Sequence, residues 1–107
     1  MDKTRIERLE QIIVDNPKDT FTLFALAKEY EKKGDALKAI QLFERLLITD
    51  PAYIGAYYHL GKVYEQKGDF TKALNIYEKG IEIAQQQKAM HALSELKNAR
   101  MNLEIDL

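Results

Sequence analysis

The chain repeats itself at an interval of 34 residues. Sliding residues 20–53 onto 54–87 pairs Leu26 with Leu60, Lys28 with Lys62, Tyr30 with Tyr64, Glu31 with Glu65 and Lys33 with Lys67. The same register pairs Gly34 with Gly68, Asp35 with Asp69, Lys38 with Lys72, Ala39 with Ala73 and Glu44 with Glu78. Ten identities without a gap, with conservative pairs such as Phe43 and Tyr77 besides, mark a repeat protein. The two prolines, Pro17 and Pro51, keep the same interval, and each follows an Asn or Asp in a turn-initiating dipeptide.

Inside each unit the apolar residues return at helical spacing. Leu23, Leu26, Ala27 and Tyr30 form one stripe, and after Gly34 and Asp35 a second runs through Ala39, Ile40, Phe43, Leu46 and Leu47. Each repeat therefore reads as a helical hairpin. Gly34 and Gly68 suit the left-handed position that ends a helix, and Asp35 and Asp69 suit the cap that accepts hydrogen bonds from the next helix's free amides. Ala27, Gly61, Ala39 and Ala73 supply the small side chains that a close helix crossing requires.

The flanks follow the same logic. Ile6, Leu9, Ile12 and Ile13 precede Pro17, and Leu9 lies 34 before Phe43, so residues 1–17 read as the second helix of a half-repeat. Thr4 and Glu7 have the spacing of a capping box at its start. Repeat 1 is then 20–53 and repeat 2 is 54–87, leaving 88–107 as a C-terminal capping helix and tail. No Gly or Pro marks where the last two helices divide. The stripe Ala73, Tyr77, Gly80 and Ala84 runs on into polar residues, while a new stripe begins with Ala89, Ala92, Leu93, Leu96 and Leu103. The change of face places a turn near Gln85 to Lys88. Leu93 and Leu96 lie 36 after Tyr57 and Leu60, and at that offset Gly61 and Tyr64 become Lys97 and Arg100, which suits a terminal helix with one wetted face.

Composition limits the chemistry. At 107 residues a single domain is expected, and 31% charged with 46% hydrophobic residues describes a globular chain. Sixteen basic against 17 acidic side chains give a net charge of -1, with the signs interleaved, so the basic field that nucleic-acid binding needs is missing. The absence of cysteine excludes a disulfide, a thiol nucleophile and a thiolate zinc site. The longest nearly uncharged run, Ile48 to Gly61, is interrupted by Asp50 and Pro51 and is too polar to span a membrane. The charged opening Met1 to Arg8 has no apolar core behind it, which makes the cytoplasm the expected compartment.

Tyr57, Leu60, Gly61, Tyr64, Gly68, Ala73 and Tyr77, with Leu23, Leu26, Ala27, Tyr30, Gly34, Ala39, Phe43 and Pro51 one unit earlier, resemble the tetratricopeptide repeat signature. The chain departs from it at Leu23 and Tyr57 where the family favours Trp, at Gly80 where it favours Ala, and at Gln85 where the closing Pro is absent. The resemblance implies an all-α superhelix of antiparallel hairpins, about six helices, with a concave groove lined by the first helix of each pair. It also implies that the groove holds an extended peptide or a partner helix. By matched position the groove residues are Phe21, Phe24, Lys28 and Glu31 in the first repeat and Tyr58, His59, Lys62 and Glu65 in the second, with Ala25, Lys32, Gly55 and Gln66 beside them.

Phe21, Phe24 and Tyr58 form an aromatic strip suited to anchoring a ligand side chain, unless the N-terminal helix or its Pro17 turn covers them. Lys28 and Lys62 are placed to hold a ligand carboxylate, or to pair with Glu31 and Glu65 on a solvated face. The Lys and Asn clamp that some family members use for a C-terminal carboxylate is not matched, since Ala25, Lys28, His59 and Lys62 include no Asn.

His91, Ser94 and Glu95 share one helix face, but nothing there supplies the oxyanion hole and dry pocket that a serine nucleophile needs. His59 and His91 lie on different helices without a carboxylate cluster, so no metal and no cofactor is expected. Gly55 to Lys62 resembles a phosphate loop only loosely, with five residues between its glycines and Val63 where a magnesium-binding hydroxyl belongs. The reading is a non-enzymatic interaction module for a protein or peptide partner. Its structural alternative is a self-associating assembly element, a homo-oligomer formed through the groove or the open ends of the stack.

Overall fold

The computed structural model of the chain describes residues 3–107. They form six α-helices and no strand among the described residues: α1 (Arg5–Asp15), α2 (Thr20–Lys33), α3 (Ala36–Thr49), α4 (Ile54–Lys67), α5 (Phe70–Gln87) and α6 (Met90–Asp106). The chain divides into two compact units, Met1–Pro51 and Ala52–Leu107.

In the first unit the capping box at Thr4 is present. The Thr4 hydroxyl accepts the Glu7 amide at 3.1 Å, and the Glu7 carboxylate accepts the Thr4 amide at 3.2 Å. Asp19 caps α2 by accepting the Thr22 amide at 3.3 Å. The turn from α2 to α3 is made by Gly34 at φ 87°, in the left-handed region that costs glycine nothing. The Gly34 amide donates to the Glu31 carbonyl at 3.1 Å and the Asp35 amide to the Tyr30 carbonyl at 2.9 Å, so the last carbonyls of α2 are satisfied. Asp35 then caps α3 through the Lys38 amide at 3.2 Å. Leu23, Leu26, Ala27 and Tyr30 of α2 are buried, as are Ala39, Ile40, Phe43 and Leu46 of α3 and Ile13 of α1. Fully enclosed side chains such as Leu23 and Phe43 each contribute roughly 1.5–3 kcal/mol. Beyond this apolar packing, the Tyr30 hydroxyl donates to Glu10 of α1, and Arg5 pairs with Glu29 at 2.6 Å. The Arg45 guanidinium donates to the Pro17 carbonyl at 2.7 Å, tying α3 to the loop before α2.

The second unit repeats the hairpin with tighter contacts. Gly68 turns at φ 85°, and Asp69 caps α5 through the Lys72 amide at 3.3 Å. A Cβ on Gly61 would stand 2.2 Å from the Tyr77 ring, so α4 and α5 approach at a distance only glycine allows. Gly80 is explained in the same way: a Cβ there would meet the Tyr57 Cβ at 2.6 Å and Leu96 of α6 at 3.1 Å. The bulk of Tyr57 on one side and Leu96 on the other therefore excludes the alanine that the repeat pattern favours.

The division of the last two helices falls at Lys88 and Ala89, at the edge of the stretch indicated by the change of face. Lys88 is the one non-glycine residue with positive φ among those described, at 56°. Its amide donates to the Gln85 carbonyl at 3.2 Å and the Ala89 amide to the Ala84 carbonyl at 3.0 Å, the same pair of bonds made at Gly34 and Gly68. Lys88 and Ala89 thus build the turn that Gly and Asp build twice before. Because α5 has 18 residues against 14 in α3 and its turn is short, α6 begins 36 residues after α4. In α6, Leu96, Ala99 and Leu103 are buried, whereas Lys97 is exposed and Arg100 half-buried at the places of Gly61 and Tyr64.

Candidate functional site

The first helix of each repeat, α2 and α4, carries an aromatic residue followed four positions later by a lysine, and in both the two side chains meet. On α2 the Lys28 ammonium lies 5.2 Å from the centroid of the Phe24 ring. On α4 the Lys62 ammonium lies 5.6 Å from that of Tyr58. One helical turn brings these residues to the same face, and the ring quadrupole holds the cation there, a contact worth about 0.5–1 kcal/mol at an exposed site. The rings are held in turn. Phe24 is half-buried and edges onto Phe43 of α3 at 6.1 Å, and Tyr58 edges onto His59 at 5.6 Å.

The glutamates complete the two faces differently. Glu65 accepts a hydrogen bond from the buried Tyr77 hydroxyl and lies 3.8 Å from Lys62. Lys62 thus stands between a carboxylate and a ring. In the first unit the equivalent of Tyr77 is Phe43, which has no hydroxyl to offer Glu31. Sequence spacing located the glutamates, but the support from beneath by Tyr77 was missed. The signal was the hydroxyl itself, the one polar atom that separates Tyr77 from Phe43 in an otherwise matched core position.

Phe24 and Lys28 are therefore brought together on α2, and Tyr58, His59, Lys62 and Glu65 on α4. Phe21 stands apart in the first turn of α2, 73% exposed, with neither the N-terminal helix nor the Pro17 turn over it. His91 and Glu95 pair at 3.5 Å on the exposed side of α6, and Ser94 is exposed beside them. Among the described residues no group of three or more His, Cys, Asp or Glu side chains is placed to hold a metal ion, and no helix is long and apolar enough to cross a membrane.

Two helical hairpins of this length, with glycine turns and an aromatic-and-lysine face on α2 and on α4, define a helical-repeat protein. A family model described as tetratricopeptide repeat matches residues 30–96, and the chain belongs to that family. A tetratricopeptide repeat domain protein from Salinibacter ruber, known from a crystal structure, is 45% identical with a TM-score of 0.76, over 80% of this chain and 96% of that one. Its solution structure gives a TM-score of 0.78, covering 83% and 90%. A protein from Bordetella parapertussis, 26% identical, superposes with a TM-score of 0.87 over 98% of this chain and 91% of its own. Among curated proteins none matches the chain. Tetratricopeptide repeats in general mediate protein–protein interaction and are typically non-enzymatic.

Proposed function

We propose that the chain is a non-enzymatic interaction module that binds a peptide or partner helix through the faces of α2 and α4 bearing Phe21, Phe24, Lys28 and Glu31, and Tyr58, His59, Lys62 and Glu65. The duplicated aromatic–lysine contact, present on both α2 and α4, carries this reading. An aromatic edge beside an ammonium suits a ligand with a bulky apolar side chain and an acidic group next to it. Apolar area supplies most of the binding energy in such a contact, because an exposed lysine chiefly alters association rate and salt dependence.

Affinity capture followed by titration of the captured partner tests this. Phe24→Ala is expected to weaken binding by about 2 kcal/mol or more, Lys28→Ala by less, with helicity unchanged in both. A partner that responds to neither residue, nor to Tyr58→Ala, would remove these faces from the function. The exposure of Phe21 favours one further reading, self-association through the same face, for which Phe24→Ala would convert an oligomer into a monomer.

A further inference from the structure

We propose that the first unit carries a separate docking groove between α1 and α3, and that its occupant is the acidic, apolar last turn of α6 from a second copy of the chain. The groove is a depression of about 440 Å³ floored by Leu26 and Tyr30, with Val14 of α1 and Leu42 of α3 on its sides and Lys38 and Arg45 at its rim. Val14 is 71% exposed although it adjoins this apolar floor. The two cations are held in place. Lys38 lies 5.5 Å from the centroid of the Tyr30 ring, and Arg45 donates to the Pro17 carbonyl at 2.7 Å. Glu10, the acidic group on the groove, accepts the Tyr30 hydroxyl. The rim therefore offers two positive charges beside unclaimed apolar surface.

The end of α6 has the opposite character. Ile105 is 73% exposed and lies about half a turn round the helix from buried Leu96 and Leu103, and Leu107, just past the end of α6, is 66% exposed. They alternate with Glu104 and Asp106, both exposed. Ile105 flanked by exposed Glu104 and Asp106, the former 3.5 Å from Arg100 of its own helix, sets an apolar side chain with acidic neighbours against two cations above an apolar floor. Groove and occupant lie on different parts of the chain, so each copy offers both a seat and an occupant. The surface is distinct from the faces of α2 and α4 proposed above, so either can fail without the other.

Sedimentation velocity of the full chain from ~10 µM to ~1 mM, the range of weak association, tests the contact. The average mass is expected to rise with concentration, and less steeply at higher salt. Val14→Arg and Ile105→Arg, both at exposed positions, should each reduce association at least about tenfold with helicity unchanged. Mixing the two variants should yield a one-to-one complex, because the first retains an intact α6 end and the second an intact groove. A chain that stays monomeric throughout, growth that both variants leave intact, or a mixture that stays monomeric would each overturn the proposal. So would an oligomer that Phe24→Ala dissolves and Val14→Arg does not.

Discussion

At the residue scale, Lys88 holds a backbone conformation that an L-residue with a Cβ adopts at a cost of roughly 1 kcal/mol, in a turn whose two counterparts are glycine. Replacing it should relieve that cost. Lys88→Gly is expected to raise stability by about 0.5–1 kcal/mol, read as a higher urea midpoint with an unchanged denaturation slope. Tyr30 provides a second test. Its phenol is pushed up to about 12, chiefly by donating its hydroxyl to Glu10, and further by burial and by the charges of Glu10 and Asp35. Folding thus favours the protonated phenol. Its contribution is whole below pH 10, the ordinary value, and is lost as the pH climbs through 12. The stability advantage of the natural protein over Tyr30→Phe should shrink across that window, as successive urea titrations would show. The turn at Lys88 also shows where sequence reading thins out. Gly34 and Gly68 announce their turns because glycine is the cheap residue at positive φ, whereas Lys88 carries no such mark and only the rotated apolar stripe disclosed it.

At the scale of the element, the helices were legible because apolar spacing, caps and turn residues agree with one another, as at Thr4 and Glu7 or Asp35 and Lys38. Ser94, His91 and Glu95 likewise lie where helical spacing puts them, on a solvent-facing side of α6. What spacing could not supply was the depth of contact between helices. The position of Gly80 is set by Tyr57 and Leu96, from the helices before and after its own. The hydroxyl of Tyr77 reaches Glu65 only because Gly61 lets the ring approach. Gly61→Ala should therefore force the Tyr77 ring aside, costing roughly 1–3 kcal/mol by overpacking and loosening the Glu65 contact with it. A lowered denaturation midpoint together with altered near-ultraviolet circular dichroism from tyrosine would register both effects. An unchanged midpoint would mean that α4 and α5 do not cross at this point.

For the whole molecule, the residues proposed to bind lie on helix faces, Phe24 and Lys28 on α2 and Tyr58 and Lys62 on α4. Ser94 and His91 sit in water, without the enclosed oxyanion donors that acyl transfer requires. The double replacement Ser94→Ala and His91→Ala is expected to leave helicity and partner capture as they were. A hydrolase activity in the purified protein that disappears with this change would count against a purely binding role.

The exchange of Gly61 and Tyr64 in α4 for Lys97 and Arg100 in α6 bears on how such a scaffold could be lengthened. A helix laid against α6 as α5 lies against α4 would bring an aromatic ring to a place where the Lys97 side chain already stands, and would bury its ammonium without a partner. Grafting another hairpin onto this protein is therefore not a matter of joining sequence end to end. The donor helix needs a smooth seat, with glycine in place of Lys97 and an aromatic ring in place of Arg100, before its own apolar stripe has anything to grip.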